Sequence, residues 1–500
     1  MKIGRYFRGL PSLIGLLVGI IISPNLAAAD QALLDILLGN GVITQEQYDS
    51  LMKKDELTSK DILGDAAPAA PAAPAAPAAA TEAQIEQKVA AAVDKKIDAS
   101  IGDRIASHIE EAFPVKSSYG KKGFRLESRD GNFQTNLQWR AQLRYTNPYR
   151  SDPRQISNFD GEDQSTFEAR RLRMKIGGHG YRPWLKYYFE VDLQPTRETD
   201  DGSSNASARV IDWRIDVAKW PWASLRVGQW KIDLNRERVD SSGRQQFVER
   251  SIVNRNFTID RQVGVQLRGH LFKGSPADMR YWAGVFTGEG RGVANNDENM
   301  MYMGRLQWNF LGRDLKWRQT DVEYTEKPTG SIAFAAATNK GSCTRWSSSG
   351  CGNLDGFARP ADAAAGQFKV KQMVEEFAFK WKGFSLQQEY HWKNVDDSSV
   401  DTDYDMTGGY VQSGYFFHHL FPFVPAPLEL AFRYAFVDEP NRFDRRQDNE
   451  RREYSVGANW FFNGHNNKLT LDYSHLTLED DVLGRDEEDD RVRFQWDVSF

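Results

Sequence analysis

Basic side chains recur at alternate positions in two neighbouring stretches of the chain. Arg140 and Arg144 share one face of the first stretch, and Arg171, Arg173 and Lys175 share one face of the second. Fixed positive charge attracts anions, and the planar guanidinium of arginine can bind two oxygens of a phosphate or carboxylate at once. The chemistry that this spacing predicts is reversible binding of small anions in a passage lined by these side chains.

The sequence offers little for bond-making chemistry. Its eight histidines are dispersed, with His418 and His419 as the one adjacent pair, and it contains no G-x-S-x-G, H-E-x-x-H or glycine-rich phosphate-binding motif. Basic and acidic residues number 64 and 69, so the net charge of -5 gives no global excess that would indicate a nucleic-acid partner. We therefore expect neither an enzyme nor a bound cofactor or metal.

The basic residues lie on segments in which apolar and polar side chains alternate. The clearest segment, FQTNLQWRAQLRY, covers residues 133–145. Its apolar face carries Phe133, Leu137, Trp139, Ala141, Leu143 and Tyr145, and its polar face carries Gln134, Asn136, Gln138, Arg140, Gln142 and Arg144. Strict alternation over 13 residues matches a tilted strand that crosses a membrane. Similar alternation recurs in LKYYFEVDL, FSLQQEYHW, LELAFRYAF and the final RVRFQWDVSF.

Segments of this kind number 17 between Phe124 and Phe500, and the connections between them alternate between short and long. In outer-membrane barrels short turns face the periplasm and long loops face outward. A barrel that begins and ends at the periplasm has an even number of strands. We therefore place one segment, at about residues 124–129, outside the barrel. The prediction is an all-β fold: a transmembrane antiparallel barrel of 16 strands from about residue 132, wide enough for a water-filled pore.

Composition agrees with this fold class. Aromatic residues make up 12% of a chain whose mean hydropathy is -0.60. A barrel reconciles the two values because each strand places its apolar residues on the lipid face and keeps a polar lumen. A soluble sandwich or β-helix could also show a period of two, but a sandwich rarely needs so many Phe, Tyr and Trp residues at strand ends.

The chain before the barrel divides into four regions. Lys2, Arg5 and Arg8, an apolar stretch and the small residues before Asp30 predict a secretory signal peptide. The predicted regions are a signal peptide at 1–29, a short helical unit at 30–63, an Ala/Pro-rich linker at 64–80, a helix at 81–113 and the barrel at 123–500. The proline-punctuated linker should be extended and semi-rigid.

The helix at 81–113 carries apolar residues four apart, from Ile85 to Ile109. Because four residues advance about 400° around a helix, this stripe drifts instead of following a strict heptad seam. Both a short oligomeric coiled coil and an amphipathic helix on the barrel base remain open. The rod-like spacer also motivates an alternative role, in which a periplasmic arm tethers the envelope and the barrel is mainly an anchor.

Two features of the predicted loops carry further expectations. Cys343 and Cys351 lie in KGSCTRWSSSGCGN, and in an exported protein they favour a disulfide that pins a loop, the alternative being two free thiols. The acidic run EDDVLGRDEEDD, residues 479–490, is expected to form an external loop. That run is either a solvated surface or a binding site for divalent cations that bridge lipopolysaccharide.

Several stretches together resemble the phosphate-selective porin O and P family, in order and at similar spacing. They are FEARRLRMKIGG, WLKYYFEVDL, LRVGQWKIDLNRERVDSSGRQQFVER and DRQVGVQLRG, of which GQWKIDLNRERVDSS (228–242) is the most specific. The resemblance covers roughly residues 124–500. It implies a trimeric sixteen-stranded barrel whose third external loop folds into the pore and narrows it.

The resemblance also implies which residues form the anion site. Arg140, Arg170, Arg171, Lys186 and Asp212 fall where the family has similar residues at its central site, and Arg238 falls on the basic position of the constricting loop. Two positions depart from the family: Gly243, beside Arg244, replaces an expected lysine, and the long external loop lacks the expected run of arginines.

These observations lead to one functional expectation. We expect an outer-membrane, anion-preferring porin of a Gram-negative bacterium, with its N-terminal arm in the periplasm, that passes phosphate, pyrophosphate or other small anions. The expected partners are outer-membrane lipids, lipopolysaccharide and two further copies of the chain. The predicted pore-lining residues are Arg140, Arg144, Arg170, Arg171, Arg173, Lys186, Asp212 and Arg238. The alternative for each arginine is an ordinary lumen pairing with Asp or Glu across the pore, without strong selectivity.

Overall fold

The computed structural model describes Gln45 and residues 115–148, 165–193, 208–295, 297–347, 350–354, 356–439, 449–480 and 484–500. Apart from Gln45, the predicted signal peptide, helical unit, linker and N-terminal helix lie outside these residues. Within the described residues, no helix has the length and apolar character needed to cross a membrane.

Twenty strands account for most of the described chain. They are β1 (Val115–Gly120), β2 (Gly123–Ser128), β3 (Gln134–Asn147), β4 (Thr166–His179), β5 (Leu185–Asp192), β6 (Arg209–Trp220), β7 (Ala223–Lys231), β8 (Arg261–Leu271), β9 (Met279–Phe286), β10 (Met301–Trp308), β11 (Thr329–Gly341), β12 (Arg345–Ser347), β13 (Gly350–Gly352), β14 (Phe368–Trp381), β15 (Phe384–Asp397), β16 (Thr402–Tyr415), β17 (Leu428–Glu439), β18 (Asn449–Phe461), β19 (Asn467–Asp480) and β20 (Arg485–Ser499). The short helices of this part of the chain are α1 (Arg236–Val239), α2 (Val253–Phe257) and a 3-10 turn at Phe417–His419.

The sheet closes on itself because β20 pairs with β3. The register runs from Val492 opposite Asn147 to Ser499 opposite Arg140. Phe500 completes the seam by exchanging two backbone hydrogen bonds with Trp139. The closed barrel comprises the sixteen antiparallel strands β3–β11 and β14–β20 among the described residues, which confirms the predicted fold and strand number.

The β1–β2 hairpin lies outside the ring of sixteen strands. It extends the sheet at the periplasmic end, where β2 pairs only with the first residues of β3, from Phe124 opposite Leu137 to Glu127 opposite Gln134. The assignment of this segment to a position outside the barrel is therefore correct. The hairpin ends where the paired part of β20 begins, so the two follow one another along the same edge of β3.

Alternation along the strands separates the lumen from the outer face. On β3, Trp139 and Leu143 are 43% and 45% exposed, whereas Arg140 and Arg144 are 4% and 6% exposed. The tight turn between β14 and β15 fits their antiparallel pairing. It consists of Lys382 and Gly383, whose backbone φ angles are 48° and 84°. Two successive residues with positive φ are typical of the two-residue turn that matches strand twist.

Two connections differ from the sequence expectations. The described part of the acidic run at 479–490 lies in strands and not, as expected, in an external loop: β19 continues to Asp480 and β20 starts at Arg485, with Leu478 opposite Glu487. Residues 481–483 lie outside the described residues. Successive acidic side chains in these strands point to opposite faces of the sheet. This alternation keeps neighbouring negative charges apart, so the strands can pair. The connection between β10 and β11, residues 309–328, lies at the periplasmic end but is much longer than a tight turn.

The external connection between β11 and β14 carries the small hairpin of β12 and β13. Trp346 lies opposite Cys351 in this hairpin. The structure joins Cys343 to Cys351 by a disulfide, with the two Cα atoms 5.6 Å apart. Trp346 is buried and donates its indole hydrogen to the carbonyl of Gly288 at 2.6 Å, which connects the hairpin to the neighbouring loop.

An apolar core lies inside the barrel. The connection between β7 and β8, residues 232–260 and here called loop L3, contributes Ile232, Leu234, Ile252, Val253, Phe257 and Ile259 to it. These side chains pack against inward residues of the wall that include Phe286, Met301, Val374, Val395, Val437 and Leu476. Burying each large apolar side chain contributes about 1.5–3 kcal/mol, so L3 is held firmly against the β9–β19 side of the barrel.

Candidate functional site

Loop L3 crosses the lumen and contacts separate parts of the wall. On one side Gln142 donates its amide hydrogen to the carbonyl of Ser242 at 3.0 Å. On the other side the backbone N–H of Arg236 donates to Glu376 of β14 at 2.8 Å. The inward fold of the third external loop is therefore present, and L3 narrows the passage through the barrel.

Three of the predicted site arginines converge on one carboxylate of L3. Glu249 lies 2.9 Å from Arg144, 3.1 Å from Arg170 and 3.2 Å from Arg171. Burial alone would raise the pKa of Glu249, but the three guanidinium groups lower it well below its usual range. Glu249 is thus ionised, and these arginines anchor L3 to the wall.

Arg170 reaches this carboxylate because β4 has a bulge. Gln142 lies opposite Arg171 while the next residue, Leu143, lies opposite Ala169, which leaves Arg170 as an extra residue in the pairing. A bulge bends the strand locally and re-aims a side chain. Strict alternation along β4 would have placed Arg170 on the lipid face. The contact between Arg170 and Glu249 therefore depends on the bulge and could not be read from the alternation of apolar and polar residues.

Arg140 is fixed by the tip of L3. Its two terminal nitrogens donate to the hydroxyls of Ser241 and Ser242 at 3.3 and 3.2 Å, and Asp497 lies 3.7 Å away on β20. The side chain is almost completely buried between the wall and the loop. Arg140 therefore positions L3 and contributes charge beside the passage.

Three further predicted residues are also engaged in ion pairs. Arg173 donates to Glu190 at 2.9 Å, Arg238 donates to Asp260 at 3.0 Å, and Asp212 accepts a hydrogen bond from Arg261. Burial would raise the pKa of Asp260, but Arg238 and Arg261 lower it. Arg238 lies within the base of L3, away from the open passage.

The open space in the lumen lies between L3 and the wall formed by β3–β7. This lumen cavity has a volume of about 630 Å³. Its basic lining residues are Lys122, Arg173, Lys175, Lys186, Arg214, Arg226, Lys231 and Arg244, and its acidic ones are Glu190, Asp212, Asp216 and Asp233. Eight basic against four acidic side chains give the passage an excess of positive charge.

The acidic residues of the lumen cavity are all neutralised by arginine. Glu190 and Asp212 are paired as described, Asp216 accepts from Arg226 at 2.6 Å, and Asp233 lies 3.9 Å from the same arginine. Because each carboxylate has at least one guanidinium within 4 Å, none of them presents an uncompensated negative charge to a passing ion.

Four of the basic residues, in contrast, form no hydrogen bond or ion pair within 4 Å in the described part of the chain, although Lys175 lies opposite Glu190 and Lys186 opposite Asp216 in the strand register. Lys122 and Lys186 lie towards the periplasmic end, Lys175 lies on β4 further into the barrel, and Arg244 projects from L3. Of the residues predicted to line the passage, Lys175 and Lys186 belong to this set. The structure therefore separates arginines that hold the loop in close ion pairs from cations that are not held in such pairs.

Sequence reasoning missed Arg226, Lys231 and Arg244. Arg226 could have been found, because it alternates with the outward Leu225 and Val227 on β7. The position of Arg244 depends on the tertiary path of L3, for which the sequence carries no periodic signal. Lys231 sits at the end of β7, where it donates to the carbonyls of the loop.

The long periplasmic connection, residues 309–328, meets L3 from the opposite end. Gln319 accepts a hydrogen bond from the backbone of Gln246 at 2.7 Å. The ring of Trp317 lies below the guanidinium groups of Arg236 and Arg305, at 5.3 and 4.8 Å from its centroid. This periplasmic segment thus supports the loop that narrows the pore.

A closed sixteen-stranded barrel with its third external loop folded into a charged lumen is the architecture of a porin channel of the outer membrane. The particular family follows from the sequence. The profile of the phosphate-selective porin O and P family matches residues 143–500, and the chain belongs to that family.

Comparison with solved structures returns other outer-membrane proteins at low sequence identity. The outer membrane channel DcaP of Acinetobacter baumannii has 12% identity and a TM-score of 0.48, with 75% of this chain and 99% of that one covered. An anion-selective porin from Comamonas acidovorans has 10% identity and a TM-score of 0.47, covering 73% and 99%. In-vitro folded OmpT of Vibrio cholerae has 10% identity and a TM-score of 0.46, covering 73% and 97%. Among curated proteins no match is found.

Proposed function

We propose that this porin is an anion-preferring diffusion channel, with Lys175, Lys186 and Arg244 as the charges that a permeating anion meets. The observation that supports this is the asymmetry of the lumen cavity: its carboxylates are paired with arginine, whereas these three cations form no hydrogen bond or ion pair within 4 Å among the described residues. Transport follows the solute gradient and needs no cofactor.

The substrates that fit are small hydrated oxyanions, including phosphate and pyrophosphate. Lysine presents a compact charge on a flexible stem, and one exposed arginine adds a planar fork. Conduction requires binding that is weak enough for release, which favours separated cations over a single tight cluster. Family membership supports phosphate as one solute, while the site arginines that are bound to Glu249 are not available to grip it.

Assembly and topology complete the proposal. We propose a homotrimer in the outer membrane of a Gram-negative bacterium, with the region before the barrel in the periplasm. Tethering of the envelope by this arm is a second, compatible role that rests on sequence outside the described residues. Deleting residues 30–112 separates the two roles, because loss of tethering would alter envelope integrity and leave conductance unchanged.

The test is the reversal potential of the protein in a planar bilayer under a KCl gradient. We expect a sign that corresponds to chloride preference, and a cation-selective potential would reject the proposal. Phosphate, pyrophosphate and sulfate are then added as blockers of the chloride current. Block by phosphate at lower concentration than by sulfate supports phosphate as a solute, and equal block limits the proposal to general anion preference.

Variants connect this preference to individual residues. Lys175→Ala and Arg244→Ala should each lower the anion-to-cation permeability ratio by roughly twofold, because a unit charge at about 8 Å in water contributes about 0.5 kcal/mol. Lys273→Ala, in an exposed turn between β8 and β9, is the matched control and should leave the ratio unchanged. An unchanged ratio in both cavity variants would show that these cations do not set selectivity.

A further inference from the structure

Two external connections of the barrel meet around a buried carboxylate. Glu289 lies in the connection between β9 and β10 and is 4% exposed. The segment that leads from β11 into the β12–β13 hairpin lies beside it, with Ser342 Oγ at 3.3 Å and Cys343 Sγ at 3.6 Å from Glu289 Oε2. The sulfur is in the disulfide and carries no hydrogen, so Ser342 is the one hydrogen-bond donor to this carboxylate within the described part of the chain.

A buried amide lies beside the same carboxylate without a hydrogen-bond partner. Asn339 of β11 is 3% exposed, and neither its oxygen nor its nitrogen is hydrogen-bonded among the described residues. Both side chains point at the space beside Gly341, because a Cβ there would lie 2.8 Å from Glu289 Oε1 and 3.2 Å from Asn339 Nδ2. Exchanging the two amide atoms by a flip leaves both without a partner. Native proteins seldom leave a buried amide in this state, so the space beside Gly341 calls for a ligand.

The charge of Glu289 has no basic counterpart among the described residues. Burial raises its pKa, the hydrogen bond of Ser342 lowers it, and the nearby carboxylate of Asp297 raises it further. Asp297 itself lies near a lysine, since a Cβ at Gly366 would be 3.5 Å from Asp297 Oδ2 and 3.4 Å from Lys340 Cε. Lys340 therefore partly offsets the charge of Asp297 and leaves that of Glu289 uncompensated.

From this arrangement we infer that the two connections bind a hard divalent cation, with calcium as the best fit, between Glu289, Asn339 and Ser342. Carboxylate, amide and hydroxyl oxygens are ligands that calcium takes, and bound waters complete its coordination. The carboxylate and the two cysteine sulfurs lie within 4.8 Å of one another. Only thiolates bind soft metals, however, so the disulfide leaves the oxygens as the ligands. The expectation from sequence of no bound metal is revised for this site.

The cation connects the β9–β10 connection to the hairpin that follows β11. Trp346 of this hairpin already donates to the carbonyl of Gly288, the residue before Glu289, and it packs in the same apolar core as Phe257 of L3. One carboxylate with neutral oxygens predicts a dissociation constant on the order of 10⁻⁴–10⁻³ M, as in calcium-binding modules outside the cell. The site lies in the external connections and is independent of ion selectivity in the lumen cavity.

Variants at the two buried side chains test the site. Glu289→Gln removes the charge and keeps the shape of the side chain, and Asn339→Ala removes the amide. Glu298→Gln, an exposed residue of the same connection, is the matched control. Each protein is purified in detergent, treated with EDTA and dialysed, and its thermal unfolding is followed with and without CaCl₂ or MgCl₂. Tb³⁺, which prefers the same oxygen ligands as calcium, reports binding through luminescence excited by the nearby Trp346.

We expect calcium to raise the unfolding temperature of the unaltered protein and of Glu298→Gln, since a ligand that binds only the folded state stabilises it. Glu289→Gln should lose this shift and bind Tb³⁺ at least roughly tenfold more weakly, because even a partner that only orients a metal ligand accounts for about 10–100-fold in affinity. Asn339→Ala should weaken both effects. An equal shift with magnesium supports a divalent site without a preference for calcium.

Two results would overturn the inference. One is an unfolding temperature of the unaltered protein that does not respond to either cation. The other is an equal response to calcium and Tb³⁺ in Glu289→Gln and Glu298→Gln. In either case Glu289 is a neutral carboxylic acid in the folded protein and holds no cation.

Discussion

The guanidinium of Arg140 lies so close to Gly243 that a Cβ at this glycine would be 2.6 Å from Arg140 Cζ. The family resemblance predicts a lysine at this position of L3, and the structure shows why this chain can have glycine instead. Arg140 occupies the space beside the loop and donates to Ser241 and Ser242. The wall thus adds positive charge at the tip of L3, beside that of Arg244 on the loop itself.

The first prediction follows from this contact. Gly243→Ala should displace the Arg140 guanidinium and weaken its hydrogen bonds to the two serines, each of which contributes about 1 kcal/mol or more. The freed loop tip should change single-channel conductance and increase current noise. The control is Gly120→Ala, because a Cβ at Gly120 meets nothing within 4 Å. Equal traces for both variants would show that Arg140 does not fix the loop tip.

The second prediction concerns the carboxylate that holds three arginines. Glu249→Gln leaves Arg144, Arg170 and Arg171 without their shared counter-charge in a buried site. Removing one partner of a buried ion pair costs about 3–5 kcal/mol, so thermal unfolding in detergent should begin at a lower temperature. The three released charges should also raise anion selectivity in bilayer recordings.

The control for this variant is Glu323→Gln in the periplasmic segment. Glu323 also contacts two basic residues, Lys316 and Arg318, but its side chain is 48% exposed. Exposed pairs contribute about 0–1 kcal/mol, so little change is expected. If Glu249→Gln were as stable as this control, the arginines would not anchor L3 through that residue.

The barrel could be predicted from the sequence because its signal is periodic. Each strand repeats the same two-residue pattern, as in Val492, Phe494 and Trp496 facing outward on β20. A barrel whose two ends both lie at the periplasm must have an even number of strands, which gives sixteen. The acidic residues after Leu478 are an exception, because a run of charges indicates a loop and here continues two paired strands. On β19 and β20 the acidic side chains alternate between the two faces of the sheet.

The candidate site was less accessible to sequence reasoning for a physical reason. Alternation shows that Arg144 and Arg171 point into the lumen, but it does not show what they meet there. Their partner, Glu249, lies on a loop without periodicity, 105 residues after Arg144 in the sequence. Only the folded path of L3 distinguishes these paired arginines from unpaired cations such as Lys175.

The third prediction is a pH dependence that arises from Glu237 in α1 of L3. Burial and the neighbouring carboxylate of Glu389 raise the pKa of Glu237 to about 7. Because the pKa of Glu237 is higher in the folded protein than in the unfolded chain, protonation of Glu237 stabilises the folded state. This stabilisation is complete below the ordinary glutamate pKa of about 4.5 and is lost as the pH rises through about 7. Thermal unfolding in detergent should therefore occur at a lower temperature at pH 8.5 than at pH 5.5.

Glu237→Gln should reduce this difference between the two pH values. The groups that surround Glu237 are Glu389 with its partner His391, Arg250, Ser251 and Arg433. Glu249 does not contribute in this range, because its lowered pKa keeps it ionised above pH 5. Glu326→Gln, on the exposed part of the periplasmic segment, is the control and should keep the dependence. A pH profile that is the same in both variants would exclude Glu237 as its source.

The fourth prediction concerns the support that L3 receives from the periplasmic end. Trp317 lies against Arg236 of L3 and Arg305 of β10, and its ring centroid is 5.8 Å from that of Trp282. Trp317→Ala removes these contacts, and because Trp317 is partly buried the cost should lie below the roughly 3–5 kcal/mol of truncating a fully buried tryptophan. With its support removed, L3 should move more freely, so that open-channel current becomes larger and noisier. Phe423→Ala, in another periplasmic turn, removes an aromatic side chain that is 85% exposed and should change neither quantity. A quiet channel of unchanged conductance in Trp317→Ala would mean that L3 is held by the wall alone, through Glu249 and its arginines.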